Sequence, residues 1–271
     1  MANIFEEKSQ EFQSRLLDLS NPIALSYTSL RQLDPKYGGT PMKFAQHFTR
    51  LRSLEVNGTK AFVEYMIEGK AYLESKYKII GDLRTSAAKE VLKESNEKGI
   101  GWIKASDLDG YDLMQQAVVH NRVFCMFLED YDTKRCFYDT CKIEMEYFGR
   151  EGKYLYNFNM FLHFYNPNEN ALCIIKQGTY ADNDMYTWKK SGIELQAAIY
   201  ARAKSFDTPP TIYVCTIDKS GNHNAFRVSE NSLNVGYGQL QANLWKYQQY
   251  FEAGNWNQSF MANNKDEVWT I

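Results

Sequence analysis

A lysine, two glutamates and a glutamine–tyrosine pair are the residues of this chain whose types and spacing could do chemistry. Lys176 ends a short apolar run. Glu144 and Glu146 are two residues apart in an alternating segment, so they share one face of a predicted strand. Gln196 and Tyr200 are four residues apart and therefore share one face of a predicted helix. Carboxylates such as the two glutamates are the protein ligands that Mg²⁺ takes together with substrate phosphate and water.

Each of these residues also has an ordinary structural explanation. A lysine at a strand end is commonly a solvated surface residue, and paired glutamates on a strand commonly face solvent. Gln196 and Tyr200 could pack their helix onto the sheet. Two further carboxylates, Asp182 and Asp184, lie in a segment whose composition favours a loop, where Asp and Asn are frequent because they bond to nearby backbone groups.

The second half of the chain has the hydrophobic pattern of a sheet. The period changes to two near residue 136 and continues to Tyr147, which predicts a half-buried strand. The apolar run Leu172–Ile175 predicts a buried central strand. Further strands are predicted over 153–165, Thr211–Ile217 and Asn224–Val228, and helices from about Thr187 to Ser205 and over 237–253.

The first half of the chain has helical periodicity instead. Helices are predicted over 3–18, from Leu25, and over 42–53, 60–77, Ala87–Glu97, Asp107–His120 and Arg122–Glu129. The sequence therefore predicts a mainly helical part, residues 1–130, followed by a sheet core, residues 136–256, within a single domain of residues 1–271.

Composition restricts the classes of function. The chain has 271 residues, a formal charge of −2 and 44% hydrophobic residues, so any nucleic-acid surface must be a local patch. Five cysteines and four histidines show no zinc-ligand spacing, and the odd cysteine number favours free thiols in a reducing compartment. No apolar run reaches membrane length and no signal core is present. We therefore expect a cytoplasmic protein with no membrane partner.

The order of these motifs resembles the nuclease domain of exodeoxyribonuclease VIII, the RecE-like recombination exonucleases of phages and prophages. The resemblance covers roughly residues 22–256. Leu25-Ser-Tyr-Thr-Ser-Leu is similar to the family's opening helix, and Gly69-Lys-Ala-Tyr-Leu lies where the family has Gly-Thr-Ala-x-His. Gln196 and Tyr200 match its Gln-x-x-x-Tyr helix, and Glu144 or Glu146 falls at its strand glutamate. The resemblance implies an α/β (α+β) fold, a PD-(D/E)XK nuclease-like mixed sheet flanked by helices, with Lys176 as the motif lysine.

Three positions depart from the family's pattern. Leu73 stands in place of the family histidine, and Asn159 in place of the second-strand aspartate, with Asn157 as the other candidate. Ile174 stands in place of the D/E-x-K carboxylate. Isoleucine cannot ligate Mg²⁺, and asparagine offers an oxygen without charge. The resemblance then leaves only the strand glutamates and the motif lysine, so two-metal catalysis has no scaffold.

Three functions remain open on this resemblance. The favoured one is a catalytically inactive RecE-like protein of DNA recombination or processing that binds DNA or a recombination partner, such as a single-strand annealing protein, and needs no cofactor. The second is an active exodeoxyribonuclease that uses Mg²⁺ or Mn²⁺ bound by relocated acids, namely Glu144, Glu146, Asp182 and Asp184. The third is a structural protein, or one that interferes with a host nuclease, on the same fold. If the protein is encoded by a phage, we expect it in the host cell cytoplasm. A homo-oligomer is compatible with each of the three functions.

Overall fold

The computed structural model describes residues 23–49, 54–147, 150–178, 191–254 and 256. Within these ranges no helix is long and apolar enough to cross a membrane. The predicted helix over 3–18 and the residues Asp182 and Asp184 lie outside the described residues. The helices are α1 Tyr27–Arg31, α2 Pro41–Thr49, α3 Gly58–Lys76, α4 Ser86–Lys98, α5 Ala105–Val118, α6 Arg122–Leu128, α7 Ile193–Tyr200 and α8 Glu230–Ala253, with a 3₁₀ turn at Pro35–Tyr37. The strands are β1 Lys78–Ile80, β2 Trp102–Lys104, β3 Lys134–Met145, β4 Tyr154–Asn166, β5 Ala171–Gln177, β6 Thr211–Ile217 and β7 His223–Arg227.

The main sheet is mixed and has the order β3-β4-β5-β6-β7. Strands β3, β4 and β5 form an antiparallel meander, β6 is parallel to β5, and β7 is antiparallel to β6. Helix α7 lies in the connection between the two parallel strands. The prediction of a central strand containing Leu172–Ile175, followed by the helix of Gln196 and Tyr200, is confirmed, and so is the α/β fold class.

Both faces of the sheet are covered, which explains why β5 is a continuous apolar run. On one face, here called the front face, Ile174 packs with side chains of α1, α2, α7 and α8. On the other, the back face, Ile175 packs with side chains of α3, α5 and α6. The first five residues of β5, Ala171–Ile175, are at most 2% exposed. The sheet is therefore the middle layer of three.

Helix α8 begins earlier than its periodicity predicts. The Ser229 hydroxyl accepts a bond from the Ser232 amide at 3.1 Å, which caps the helix, so α8 begins at Glu230 and not at 237. It crosses α7 at a glycine. A Cβ on Gly236 would lie 2.1 Å from the carbonyl oxygen of Glu194, so only glycine permits this contact between the two backbones.

The first half is mostly helical, as predicted, but it also contains a short parallel pair that the periodicity did not indicate. Strand β1 pairs with β2, and Ile80 and Trp102 form a small core with Ala88 of α4. Three-residue strands are too short to show alternation, which is why the sequence pattern missed them. Helix α3 is interrupted at Gly69, whose φ of 80° is not helical.

Candidate functional site

Strands β4 and β5 diverge after a short ladder and form a fork. They pair at only three positions, from Asn166↔Ala171 to Phe164↔Cys173, although both strands continue well beyond. Two residues beyond the last of these pairs on β5, the Ile175 amide donates to Nδ1 of the buried His163 at 2.8 Å. A side chain therefore takes the place of a backbone acceptor. The fork therefore opens at the carboxyl end of the central strand.

The segment Leu25–Arg31 fills the front side of this fork. The Leu25 amide donates to the Asn157 carbonyl and the Leu25 carbonyl accepts from the Asn159 amide, both at 2.8 Å, so this residue replaces β5 as the neighbour of β4. Helix α1 follows at once, because Ser26 and Ser29 form a reciprocal cap. This geometry places Tyr27 beside the end of β5.

Lys176 lies on the front side of the fork against Tyr27. Its Nζ is 4.9 Å from the centre of the Tyr27 ring. Burial, and to a lesser extent the nearby Arg31 guanidinium, lower the pKa of Lys176 to about 8. Among the described residues Lys176 forms no ion pair with a carboxylate, although acids pair with lysines elsewhere in the chain. The fork therefore holds two cations close together.

Tyr27 is held in place by α7. Its hydroxyl donates to the Ser191 carbonyl, and burial raises its pKa to about 12. Gly192 begins α7 with a φ of 73°, and a Cβ there would lie 2.9 Å from the Tyr27 hydroxyl. A side chain at this position would be strained and would push the tyrosine away, so glycine is required here.

Gln196 and Tyr200 lie on the same buried side of α7, as their spacing predicts. Gln196 bonds to Tyr200, which also interacts with Tyr27, and burial raises the pKa of Tyr200 to about 12. Gln196 is buried, and its Oε1 has no hydrogen-bond partner within the described part of the chain. The structure thus brings together Lys176, Arg31, Tyr27, Gln196 and Tyr200, which we call the fork cluster.

The positions that depart from the nuclease pattern do not all meet at this cluster. Ile174 lies two residues before Lys176 in the front core, and a carboxylate there would share its face. Asn159 lies between Phe158 and Met160, which belong to the front core, so its own side chain is on the opposite, exposed side of β4. Placing the missing aspartate at Asn159 therefore does not put it beside Ile174.

The other two candidate positions also lie away from the fork cluster. Asn157 is on the same outer side of β4 as Asn159, because the two are two residues apart in one strand. Leu73 is fully buried in the core of the back face, with the sheet between it and Tyr27.

Glu144 and Glu146 are not assembled with Lys176. Glu144 alternates with Ile143, which belongs to the front core, so it is on the outer side of the strand. If the β4–β5 register continued, Lys176 would be level with Phe161, whereas Glu144 is opposite Leu155. Six residues of strand separate these levels, roughly 20 Å.

The two glutamates have a local partner instead. Lys153 Nζ lies 2.7 Å from a carboxylate oxygen of Glu144 and 3.4 Å from one of Glu146. All three side chains are more than half exposed. Their arrangement fits the ordinary explanation of solvated strand residues, and the ion pairs contribute little stability.

The described residues of the fork do not fit a Mg²⁺ ion. On the front face the strand neighbours of Lys176 are Ile174 of β5 and Thr216 of β6, both buried and neither of them a carboxylate. Mg²⁺ requires oxygen ligands at near-octahedral positions. No group of three or more acidic, histidine or cysteine side chains that could hold a metal occurs in the described ranges.

His163, Tyr27 and Arg31 were not predicted as site residues. His163 reads in the sequence as one residue of an apolar strand. In the structure its pKa falls to about 3, first because it is buried and then because Lys176 is near. Its neutral ring accepts at Nδ1 and carries its proton at Nε2. Tyr27 and Arg31 lie in or beside the opening-helix segment, and no local pattern marked them as neighbours of a strand almost 150 residues later.

Comparison with known proteins supports the fold alone. No protein-family model matches the chain, and no curated protein sequence matches it. The crystal structure of a protein from Eubacterium rectale, named Putative exonuclease, aligns over 92% of this chain and 90% of that chain with a TM-score of 0.55 and 11% identity. The structure of SSO0001 aligns over 79% of this chain and 85% of that chain with a TM-score of 0.30 and 10% identity. The first of these two alignments supports a nuclease-like α/β fold for the chain.

Proposed function

We propose that this protein is a DNA-binding protein on a nuclease-like fold, whose fork holds the phosphate backbone and not a catalytic metal ion. The observation that carries the proposal is Lys176, a cation at the end of the central strand beside Arg31 and without an acidic partner from the described residues. A bound phosphate would supply the missing negative charge.

The electrostatics of the fork favour an anion. Two cations close together in a partly buried place repel each other, and this repulsion is part of why the pKa of Lys176 is low. A phosphate between the two cations would attract both of them, offset their repulsion and raise the pKa of Lys176. Tyr200 stays neutral because burial raises its pKa to about 12, so its hydroxyl remains able to donate a hydrogen bond at neutral pH.

The apolar front face supports binding without cleavage. Two-metal hydrolysis needs carboxylates that hold the ions on the attacking and leaving oxygens. Ile174 and Thr216 are the strand neighbours of Lys176 on that face, and neither is a carboxylate. Together with the resemblance to RecE-like exonucleases, this favours a role in phage or prophage DNA recombination or processing, in which the protein binds DNA or a partner such as a single-strand annealing protein in the host cytoplasm.

A DNA titration tests the proposal. Fluorescence anisotropy with labelled duplex and single-stranded DNA should show binding to the parent, and Lys176→Met should weaken it at least about tenfold because charged contacts of this kind contribute about 1.5–3 kcal/mol. The matched control is Lys89→Met, an exposed lysine on α4, which should bind like the parent. Binding should fall as pH rises through about 8, where Lys176 loses its proton.

A nuclease assay on linear duplex DNA completes the test. With Mg²⁺ or Mn²⁺ we expect no cleavage that a chelator removes. If cleavage occurs and is lost in Asp182→Asn or Asp184→Asn, the active enzyme with relocated acids is the correct function. If the parent binds neither form of DNA, or if Lys176→Met and the control weaken binding equally, the fork is not a phosphate site.

A further inference from the structure

We propose that strand β3 pairs with β3 of a second copy of this chain across a two-fold axis at Ile143, which extends the sheet into a dimer. β3 is the edge strand of the main sheet in the described part of the chain. An edge strand presents backbone donors and acceptors that can pair with another strand. The proposal concerns a surface away from the fork and does not depend on DNA binding.

Hydrogen bonds show which backbone groups of β3 point outward. Asn157 and Asn159 direct their backbone groups to Leu25, away from β3. Their partners across the ladder, Lys142 and Thr140, therefore form non-hydrogen-bonded pairs with β4 and direct their own amides and carbonyls to the open edge. The same alternation makes Glu144 point outward.

The chain itself covers one end of this edge. The Thr140 amide donates to the Asp139 carboxylate at 2.7 Å, and the Thr140 carbonyl accepts from the Lys204 amide at 2.9 Å. The Ser205 amide donates to the same carboxylate at 3.0 Å. Beyond this loop, the backbone groups of Lys142 and Glu144 have no partner among the described residues. The free edge is therefore short and begins just after Thr140.

The side chains of the free edge are complementary to themselves. If two copies pair antiparallel about Ile143, Lys142 of one copy lies opposite Glu144 of the other, and the same pair occurs twice because the axis is two-fold. Opposite charges directly across two strands stabilise a pair, and like charges destabilise it.

The neighbouring registers are unfavourable, so the charges select one register. Shifting the axis to Lys142 places the two lysines opposite each other and brings the covered Thr140 into the ladder. Shifting it to Glu144 places the two Glu144 side chains opposite each other, although Lys142 then lies opposite Glu146. Moving one strand by a single residue against the other would place outward backbone groups of one copy opposite inward backbone groups of the other, so no ladder would form. Of these three axes, only the one at Ile143 pairs outward groups without placing like charges opposite each other.

The pairing predicts a weak dimer. Two paired positions give about four backbone hydrogen bonds, and the covered edge at Thr140 prevents a longer ladder. Such a contact is smaller than a standard stable interface of roughly 800 Å² per partner. We expect a reversible, concentration-dependent dimer.

A charge swap tests the register. Sedimentation equilibrium over a concentration series should show a monomer–dimer equilibrium for the parent. Lys142→Glu and Glu144→Lys should each weaken the dimer by about tenfold, since each creates two like-charge pairs. The double variant Lys142→Glu/Glu144→Lys should restore it. The matched control is Lys134→Glu, which reverses a charge on the other end of β3 and should dimerise like the parent.

Hydrogen exchange gives a second readout that does not rely on variants. The amides of Lys142 and Glu144 should become protected as protein concentration rises, while the Thr140 amide, already bonded, should not change. A parent that stays monomeric overturns the proposal, and so does a double variant that fails to restore the dimer. A dimer that is indifferent to Lys142→Glu forms through another surface, which also overturns it. Circular dichroism checks that each variant is folded.

Discussion

The fork and the outer side of the β3–β4 hairpin each contain a lysine, but the surroundings of the two lysines are opposite. In the fork, Lys176 is partly buried beside Arg31, and its pKa is lowered. On the hairpin, Lys153 lies exposed between two glutamates, which raise its pKa. The sequence resemblance combines Lys176 of the fork with Glu144 and Glu146 of the hairpin. In the structure these side chains lie on opposite sides of the sheet.

The difference shows that the ability of a charged side chain to bind a ligand depends on the groups around it. Lys153 has its partners, so a ligand gains little by approaching it. Lys176 has lost part of its hydration without gaining an acid among the described residues, so an anion that reaches it replaces a missing interaction. The hairpin glutamates and the fork lysine should therefore respond very differently to substitution.

The largest expected effect is that of Ile174→Asp. This side chain is fully buried in the front core, and burying a carboxylate in that core should lower the free energy of unfolding by about 4 kcal/mol. Asn159→Asp, on the exposed side, should change it by less than about 0.5 kcal/mol. Urea denaturation measures both, and equal losses would mean that the two positions share one side.

A second prediction concerns His163 and acid. Its pKa is lowered from 6.5 to about 3, so the unfolded chain binds a proton in this interval that the folded chain does not. Stability should therefore fall as pH decreases from 6.5 toward 3, by about 1.4 kcal/mol per pH unit from this group. His163→Gln, whose side-chain oxygen can still accept from Ile175, should lack this part of the slope. His120→Gln, on the surface, should retain it, and urea titrations at several pH values compare the three proteins.

The third prediction is that Lys176→Met stabilises the fold while it weakens DNA binding. Because the folded-state pKa is lowered from 10.5 to about 8, the charged lysine costs stability below pH 8, and this cost disappears as pH rises to 10.5. At pH 7 the variant should melt a few degrees higher, about 3 °C, and this difference should shrink above pH 8. A variant that is less stable at pH 7 would mean that Lys176 has an acidic partner.

The smallest effect should be that of Glu146→Gln. This residue is exposed and makes a 3.4 Å ion pair with Lys153. Exposed pairs contribute little, so the free energy of unfolding should change by less than about 0.5 kcal/mol and DNA binding should not change. A large loss of DNA binding or of Mg²⁺ binding in calorimetry would place this glutamate in the functional site.

The sequence determined the strands of the main sheet and their order. Hydrophobic period and apolar runs located β3 to β7 within a few residues, because alternation and burial on both faces are local properties of a strand. The four-residue spacing placed Gln196 and Tyr200 on one side of α7, since helix geometry alone fixes that relation. The resemblance gave the α/β nuclease-like fold, which the structure confirms.

The sequence could not locate the departing positions in space. The resemblance assigns the missing aspartate to Asn159, but the side of the strand on which this residue lies depends on the register with β3 and on the core that the strand covers. A shift of one residue reverses that side. Glu144 and Lys176 lie on opposite sides of the sheet for the same reason, because register and core decide the side on which each strand residue lies.

Only the tertiary structure decided what surrounds Lys176. From the sequence it is a lysine after four apolar residues. Its neighbours Tyr27 and Arg31 come from the other end of the chain, and its low pKa results from their proximity and from burial. His163 became a structural acceptor only because β4 and β5 diverge beside it. Local spacing fixes the direction of side chains within one element, whereas the electrostatics of a site depend on the elements that pack around it, and these are known only when the chain is folded.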